Sequence, residues 1–396
     1  MYRTKKIKLF LKANDEHGGI YQYSQSLLDA FISLPSDKYS KSIVISNIKW
    51  LRLIPPDAGI AIEHIYRNHP KSFAEGRYNP LGIISRKLRK CFKNIKVPEE
   101  DDCDLRIYPN INTVSDSITN ALVCVHDLMH RYEQNFPEVS ERAIYEQREI
   151  HYRKVCDYAS GIIVDSELGK IHLVESYLGV NKDKIFVLPY ISRKSLFDEV
   201  NVDIVKKKYS LPDKFLFYPA KFWTHKNHVG LINAIAIVKK RNSDVQLILT
   251  GEKSNSYDEA MRLIEYYGLR ESIKCIGKIS DLELNAVYKL ARGMIMPSFF
   301  GPTNLPPLEA MALGCPCAVS NVYGMAAQIG NAGLLFDPKS PAEIASKIEM
   351  LWRDDIMCKK MIENGLLRTK KYFTRDIFNS NFQRIVEKLL ETDENN

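Results

Sequence analysis

The densest cluster of residues able to do chemistry is MPSFFGPTNLPPLEAMALGCPCAVSN, residues 296–321. An apolar run ends at Pro297-Ser298, and a loop carrying Gly301, Pro302, Thr303 and Asn304 follows. Pro306-Pro307 then opens a helix that Gly314 closes. Proline suits the first helical turn, where its missing N–H would find no partner anyway. The N–H groups of Thr303, Asn304 and Leu305, at the positive end of the helix dipole, are expected to form an anion site. Glu309 lies early in the same helix, placed to accept hydrogen bonds from the hydroxyls of a ribose. The plainer alternative is an ordinary helix start with a surface acid.

Three further segments add polar groups at the ends of apolar runs. In YPAKFWTHKNHVGLINAI, residues 218–235, Lys221 and Lys226 follow a strand-like run and precede an apolar helix. Two mobile ammonium groups at the mouth of a sheet suit a diphosphate, although loop lysines are more often simply solvated. In NDEHGGIYQYS, residues 14–24, Gly18-Gly19 let the backbone approach a ligand just before a helix begins. The spacing is not GxGxxG, which argues against a nicotinamide or flavin enzyme. In VCVHDLMHRYEQNFPE, residues 123–138, His126 and Asp127 follow an apolar strand and should face the same cleft. There His126 can bind a sugar or handle a proton. Equally, Asp127 can be a helix cap and His126 a strand-end residue.

A basic amphipathic stretch, residues 80–96, puts Leu81, Ile84, Leu88 and Ile95 on one helical face, with six lysines and arginines nearby. Such a face can lie on anionic lipid or simply pack on its own sheet. The eight cysteines are mostly scattered, with no CxxC. They read as reduced thiols packed as small hydrophobes, and Cys315-Pro316-Cys317 lacks the partners zinc requires.

The elements that must position these groups alternate regularly. Strand-like runs occupy residues 6–14, where Ile7, Leu9 and Leu11 alternate, and 42–46, 60–66, 105–109, 121–127 and 161–166. A second series follows at 215–220, 245–251, 273–277, 293–298, 316–320 and 333–338. Helical stretches separate most of them, among them 141–158, 229–240, 258–267 and 283–292. Such alternation implies α/β architecture with parallel, doubly wound sheets. The strands are too many for one sheet, so two domains are expected, with a boundary in VLPYISRKSLFDE, residues 187–199. Ligands of such sheets bind at the carboxyl ends of strands, and here in the cleft between domains.

A chain of 396 residues with 45% hydrophobic and 26% charged side chains has ordinary globular composition, which excludes global disorder. Its net charge of +8 favours phosphate-bearing ligands without requiring nucleic acid. Arg3, Lys5, Lys6, Lys8 and Lys12 interrupt any N-terminal signal region, and no uncharged apolar run approaches the ~18–20 residues of a membrane span. The expected location is cytoplasmic, with peripheral contact to the inner face of the cell membrane through residues 80–96.

Taken together these segments resemble the retaining glycosyltransferases of family 4, most strongly from Lys214 to Pro338 and above all in LPPLEAMALGCPCAVSN. VDSELGK, residues 164–170, also looks like that family's sequence near the end of its first domain. The resemblance implies a GT-B fold of two Rossmann-like doubly wound domains facing across a cleft. Residues 1–192 would form the acceptor-side domain and 193–374 the nucleotide-sugar domain, with 375–396 as a helix packing back on the first. By similarity Lys226 is the diphosphate lysine, with Lys221 where an arginine is common. Gly19 is the loop glycine near the diphosphate, and His126 the cleft histidine beside the transferred sugar. Gly251, Glu252, Gly277, Lys278 and Ile279 fall where the base is held. Glu309 matches the second glutamate of an E-x7-E motif that holds the ribose.

The first glutamate of that motif is Gly301 here, and Asn304 replaces a frequent glycine. The implied reaction moves a hexose or deoxyhexose from a nucleoside-diphosphate sugar to a hydroxyl of a glycan or lipid-linked glycan, with retention and without metal or other cofactor. The setting implied is assembly of a bacterial surface polysaccharide such as O-antigen, capsule or exopolysaccharide. Alternatives are a sugar-nucleotide epimerase or phosphorylase on the same fold, or an inactive nucleotide-sugar-binding subunit, which Gly301 keeps open.

Overall fold

The computed structural model describes residues 3–14, 18–64, 95–96, 103–111, 114 and 118–392. The first sheet is built from β1 (Lys5–Leu11), β2 (Tyr39–Ile45), β3 (Ala61–His64), β4 (Ile95–Lys96), β5 (Leu105–Tyr108), β6 (Ala121–Val125), β7 (Gly161–Val164) and β8 (Ile185–Val187), in the order β4-β3-β2-β1-β5-β6-β7-β8. The second contains β9 (Leu216–Pro219), β10 (Leu247–Thr250), β11 (Ile273–Cys275), β12 (Gly293–Met296), β13 (Cys317–Ser320) and β14 (Gly333–Phe336), in the order β11-β10-β9-β12-β13-β14. Every pairing among the described strands is parallel.

Central strands such as ALVCV of β6 and LILT of β10 are buried along their whole length. This is why they read as continuous apolar runs rather than alternating ones: helices cover both faces of the sheet. Cys124 on β6 and Cys315 and Cys317 beside and on β13 are buried within this apolar material, and burial pushes their thiols up from the ordinary value.

Strand order reverses between β1 and β5 in the first sheet and between β9 and β12 in the second. At such a reversal the two adjacent crossovers run to opposite faces and leave a crevice at the carboxyl ends of the strands. The loops after β1, β6, β9 and β12 carry the residues that sequence reasoning singled out. The last helix, Arg375–Thr392, lies against the helix Gly19–Ser33 of the first sheet. Its Arg375 is paired with Asp29, and Leu389 meets Gly161 so closely that a Cβ there would clash.

One expected element differs. Ile95 and Lys96 pair with β3 as a strand, so they do not continue a helix from residue 80. Their register with Ile62 and Glu63 extends the sheet, and backbone pairing there outweighs the helical spacing of the apolar side chains. Residues 80–94, the rest of the proposed lipid-facing stretch, lie outside the described residues. Among the described residues no helix is long and apolar enough to cross a membrane.

Candidate functional site

A cleft of about 590 Å³ opens between the two sheets. Gly18, Gly19, His126 and Asp127 line its first-sheet wall; Lys221, Lys226, Thr303, Asn304, Leu305 and Glu309 line the other. The helices Gly19–Ser33 and Leu305–Ala312 both begin at this cleft. Gly18 has φ 51° and ψ −117°, a conformation open to glycine and to little else, and it turns the chain directly into the first helix. A Cβ on Gly19 would lie 3.6 Å from the Leu305 side chain, so the two helix starts face each other across the gap. Their unpaired first-turn N–H groups bring two positive dipole ends to one place.

Lys226 lines the same cleft, on a turn shaped by its neighbour. Asn227 adopts a left-handed conformation (φ 56°), and its Oδ1 caps the next helix, His228–Lys239, by accepting from Gly230 N–H. Its Nδ2 donates to the carbonyls of Pro297 and Pro338, which ties the loops after β9, β12 and β14 together. Lys226 is therefore held on a rigid turn. Burial lowers its pKa to about 8, with the carboxylate of Glu138 partly opposing the shift. Among the described residues its ammonium has no ion-pair partner, unlike Lys221, which is bound to Glu252 at 3.2 Å. A half-buried ammonium without an ion-pair partner, lining the same cleft as two helix N-termini, makes a fitting anion site.

Several expected roles are changed by the contacts. The N–H of Asn304 is not free for an anion: Gln328 Oε1 accepts it at 3.0 Å, and Gln328 Nε2 donates to the Asn304 carbonyl at 2.7 Å. Thr303 and Leu305 keep their backbone N–H groups open to the cleft. The Thr303 hydroxyl donates across the gap to Asp165, a buried carboxylate that burial raises to about 6.

His126 has both ring nitrogens engaged. Nε2 lies 2.8 Å from the Pro109 carbonyl, which can only accept, so Nε2 carries the proton. Nδ1 then accepts from the Tyr190 hydroxyl at 2.8 Å. Burial lowers the pKa of the imidazole, which keeps it neutral. The expected proton-handling role is therefore closed in this arrangement, and His126 serves as a fixed neutral wall of the cleft. Asp127 lies beside it with one carboxylate oxygen accepting from Met129 N–H at 2.9 Å and from Arg148. This is a turn just ahead of the short helix Met129–Tyr132, whose N-cap position is Leu128, so Asp127 is not the helix cap itself.

Glu309 also has a partner that sequence reasoning missed. It is 3% exposed, and its Oε1 is bound by the guanidinium of Arg193, on the segment linking the two sheets. Burial raises the Glu309 pKa and Arg193 opposes the rise. Arg193 also donates to Asn285 Oδ1 and to the Asp281 carbonyl. Arg193, Tyr190, Glu138, Asp165 and Gln328 lie outside any glycine, proline or lysine signature. Their roles come from partners more than 20 residues away in the chain, beyond the reach of local spacing. Gly251, Glu252, Gly277, Lys278 and Ile279 follow β10 and β11 but do not line the cavity itself. Glu252 binds both Lys221 and Lys278, and a Cβ on Gly251 would strike the Ala220 carbonyl, so Gly251 packs the loop ends together.

The whole arrangement of two sheets and cleft recurs in solved structures. The chain matches a glycosyltransferase from Rickettsia africae over 98% of its length and 99% of that chain, with a TM-score of 0.67 and 17% identity. HepE of Anabaena, solved with UDP and glucose, matches over 98% and 99%, with a TM-score of 0.67 and 16% identity. WaaG, a glycosyltransferase involved in lipopolysaccharide biosynthesis, matches over 96% and 98%, with a TM-score of 0.66 and 12% identity. The fold is GT-B.

Within this GT-B chain, residues 201–368 match the family model described as glycosyl transferases group 1. That span contains Lys221, Lys226 and the whole Thr303–Glu309 wall. Among curated relatives, the serotype-specific mannosyltransferase WbdA of Escherichia coli is 25% identical over 303 residues, 72% of this chain and 36% of that protein. The O-antigen chain mannosyltransferase B of Escherichia coli is 32% identical over 171 residues, 42% of this chain and 45% of that one. The chain thus spans less than half the length of these relatives.

Proposed function

We propose that the protein is a nucleotide-sugar-dependent glycosyltransferase that transfers a hexose or deoxyhexose to a hydroxyl of a surface glycan. The observation that carries this reading is Lys226, a half-buried ammonium without an ion-pair partner among the described residues, which lines a GT-B cleft together with two helix N-termini. A nucleoside diphosphate brings the charge this site lacks. Glu309, kept next to Arg193, can accept from ribose hydroxyls on the same wall. The match of residues 201–368 supports a transferase, and two Escherichia coli relatives named as mannosyltransferases favour mannose as the first sugar to try.

In the proposed step the bond between the anomeric carbon and the diphosphate oxygen breaks. The acceptor hydroxyl bonds to that carbon on the same face, which retains configuration. The hydroxyl proton passes to the departing phosphate oxygen, because His126 has no free nitrogen and Gly301 has no side chain. Lys226 and the Thr303 and Leu305 amides stabilise the negative charge that builds on the leaving group. No resident metal or cofactor is assigned a part.

Thermal unfolding with UDP-, GDP- and dTDP-sugars, followed by product analysis with glycan acceptors, tests the reading. One donor should raise the melting temperature, since a ligand that binds only the folded state stabilises it, and should lose its sugar to an acceptor. Free diphosphate without glycosidic product would indicate hydrolysis, and an isomerised donor would indicate epimerisation. Absence of any nucleotide effect would remove the reading.

A further inference from the structure

A second cavity of about 470 Å³ is bordered by residues that follow β6 and by the loops after β12, β13 and β14, and shares no lining residue with the anion site. It is walled by three aromatic rings, Phe136 from the first-sheet side and Phe299 and Tyr323 from the second. Glu133, Asn135 and Asp337 stand at its edge with Lys339. The two cavities share a wall through one dipeptide. Phe300 faces the main cleft, where it stacks on His225 at 4.2 Å, while Phe299 faces the second cavity with Phe136 at 5.3 Å.

The second cavity is held open by specific bonds. Phe299 N–H donates to the His225 carbonyl at 2.8 Å, which fixes the dipeptide. Tyr323 is a bulky residue with φ 50°, a left-handed conformation unfavourable to such side chains, and its hydroxyl reaches across the gap to donate to Glu133. A strained aromatic anchored by a long-range bond marks a place whose geometry is maintained for a reason beyond packing.

We infer that this cavity is a saccharide subsite that holds a neutral sugar unit of the glycan acceptor. Three aromatic rings line the cavity, and the C–H faces of a pyranose carry partial positive charge that complements an aromatic quadrupole. The acid, amide and ammonium groups at the edge offer acceptors and donors for sugar hydroxyls. Two carboxylates at the rim disfavour a second phosphate-bearing group, and the polar edge disfavours an acyl chain. The volume falls within the ~300–1,000 Å³ of small-molecule sites. A sugar seated here lies one residue's width from the anion cleft, as the unit next to a reacting hydroxyl must. The inference rests on the transferase reading for its role, although the cavity can be tested without it.

Saturation-transfer NMR with methyl α-mannoside, α-mannobiose and maltose, using the full chain, provides that test. The exposed Asn135→Trp substitution fills the mouth without disturbing a buried contact, and Phe299→Ala removes a ring face. Wild type should give ring-proton saturation for at least one sugar. Asn135→Trp should weaken that binding at least tenfold while UDP and GDP binding stays within twofold. Wild-type-like sugar binding in both variants, or no saturation from any probe with wild type, overturns the subsite. If the variants lose the sugar signal but no donor turns over, the subsite stands and the transferase reading fails. If glycan transfer proceeds with an unchanged acceptor KM in both variants, the reverse holds.

Discussion

The carboxamide of Asn304 occupies the space directly above Gly301, so that a Cβ added at Gly301 would overlap it. Gln328 fixes the backbone of Asn304 by binding its main-chain N–H and carbonyl, so relief of the overlap must come from rotation of the carboxamide, whose Nδ2 has no partner among the described residues. Gly301 itself has φ 137°, which side chains rarely adopt. The two departures from the E-x7-E pattern are therefore one structural unit: a small residue at 301 makes room for a larger one at 304.

Gly301→Glu alone should consequently destabilise the fold by about 1–3 kcal/mol, through overlap and backbone strain. Adding Asn304→Gly should recover part of that loss by vacating the space. Thermal unfolding of the two single variants and the double variant measures the coupling. Additive losses would show that the two side chains do not compete.

Nucleotide binding should depend on pH through Lys226. Burial lowers its pKa to about 8, so the free protein loses this charge as pH rises through about 8, where an ordinary lysine would keep it. A diphosphate favours the protonated form, so its binding should take up a proton near that pH and weaken steadily above it. Isothermal titration between pH 7 and 9.5 is expected to show this slope for wild type. Lys226→Met should bind at least tenfold more weakly at pH 7 and show a flat profile over the same range. An unchanged slope in the variant would place the titrating group elsewhere.

Much of this site was legible in the sequence because it depends on local rules. Continuous apolar runs mark strands buried on both faces, and Gly18-Gly19, Lys226 and Pro306-Pro307 belong to the connections that follow such runs. The short strand β4 was not legible: two residues carry no period, and their strand character comes only from pairing with β3. The engagement of His126 by Tyr190, and of Glu309 by Arg193, was equally hidden. In each case the partner lies on the segment after β8, 64 and 116 residues away respectively, and is brought in by the crossing between sheets.

Asp165 gives a prediction on stability rather than binding. Burial raises its pKa from the ordinary 3.8 to about 6, helped by the nearby charge of Asp127 and opposed by hydrogen bonds from Thr303 and Ser166. The folded protein therefore holds this proton more tightly than the unfolded chain. The stability so conferred is complete below the unfolded value and lost as pH rises through about 6. Asp165→Asn, which carries no charge and still offers an oxygen to the Thr303 hydroxyl, should stabilise the protein at pH 7.5 by about 1–2 kcal/mol. The gain should vanish near pH 4. Chemical denaturation at the two pH values reads the difference, and an equal effect at both would separate the benefit from ionisation.

The pair Arg193–Glu309 should behave as a unit whose halves cannot be removed separately. Both side chains are almost fully buried, and the guanidinium also satisfies Asn285 and the Asp281 carbonyl. Arg193→Met would leave Glu309 desolvated and without its counter-charge, which costs about 3–5 kcal/mol in comparable buried pairs. Glu309→Gln would leave the guanidinium with only the more distant Asp281 carboxylate, 3.8 Å away, as counter-charge, and its other two acceptors remain, so a smaller loss is expected. In the double variant the uncompensated charge is gone, and the total loss should fall below the sum of the single losses by at least 1 kcal/mol. The same series separates structure from ligand contact. Glu309→Gln should weaken nucleoside diphosphate binding more than it weakens inorganic pyrophosphate binding, because only the nucleoside brings hydroxyls for a carboxylate to accept from. Equal weakening of both ligands would assign Glu309 to supporting the wall alone, through Arg193 and Tyr288.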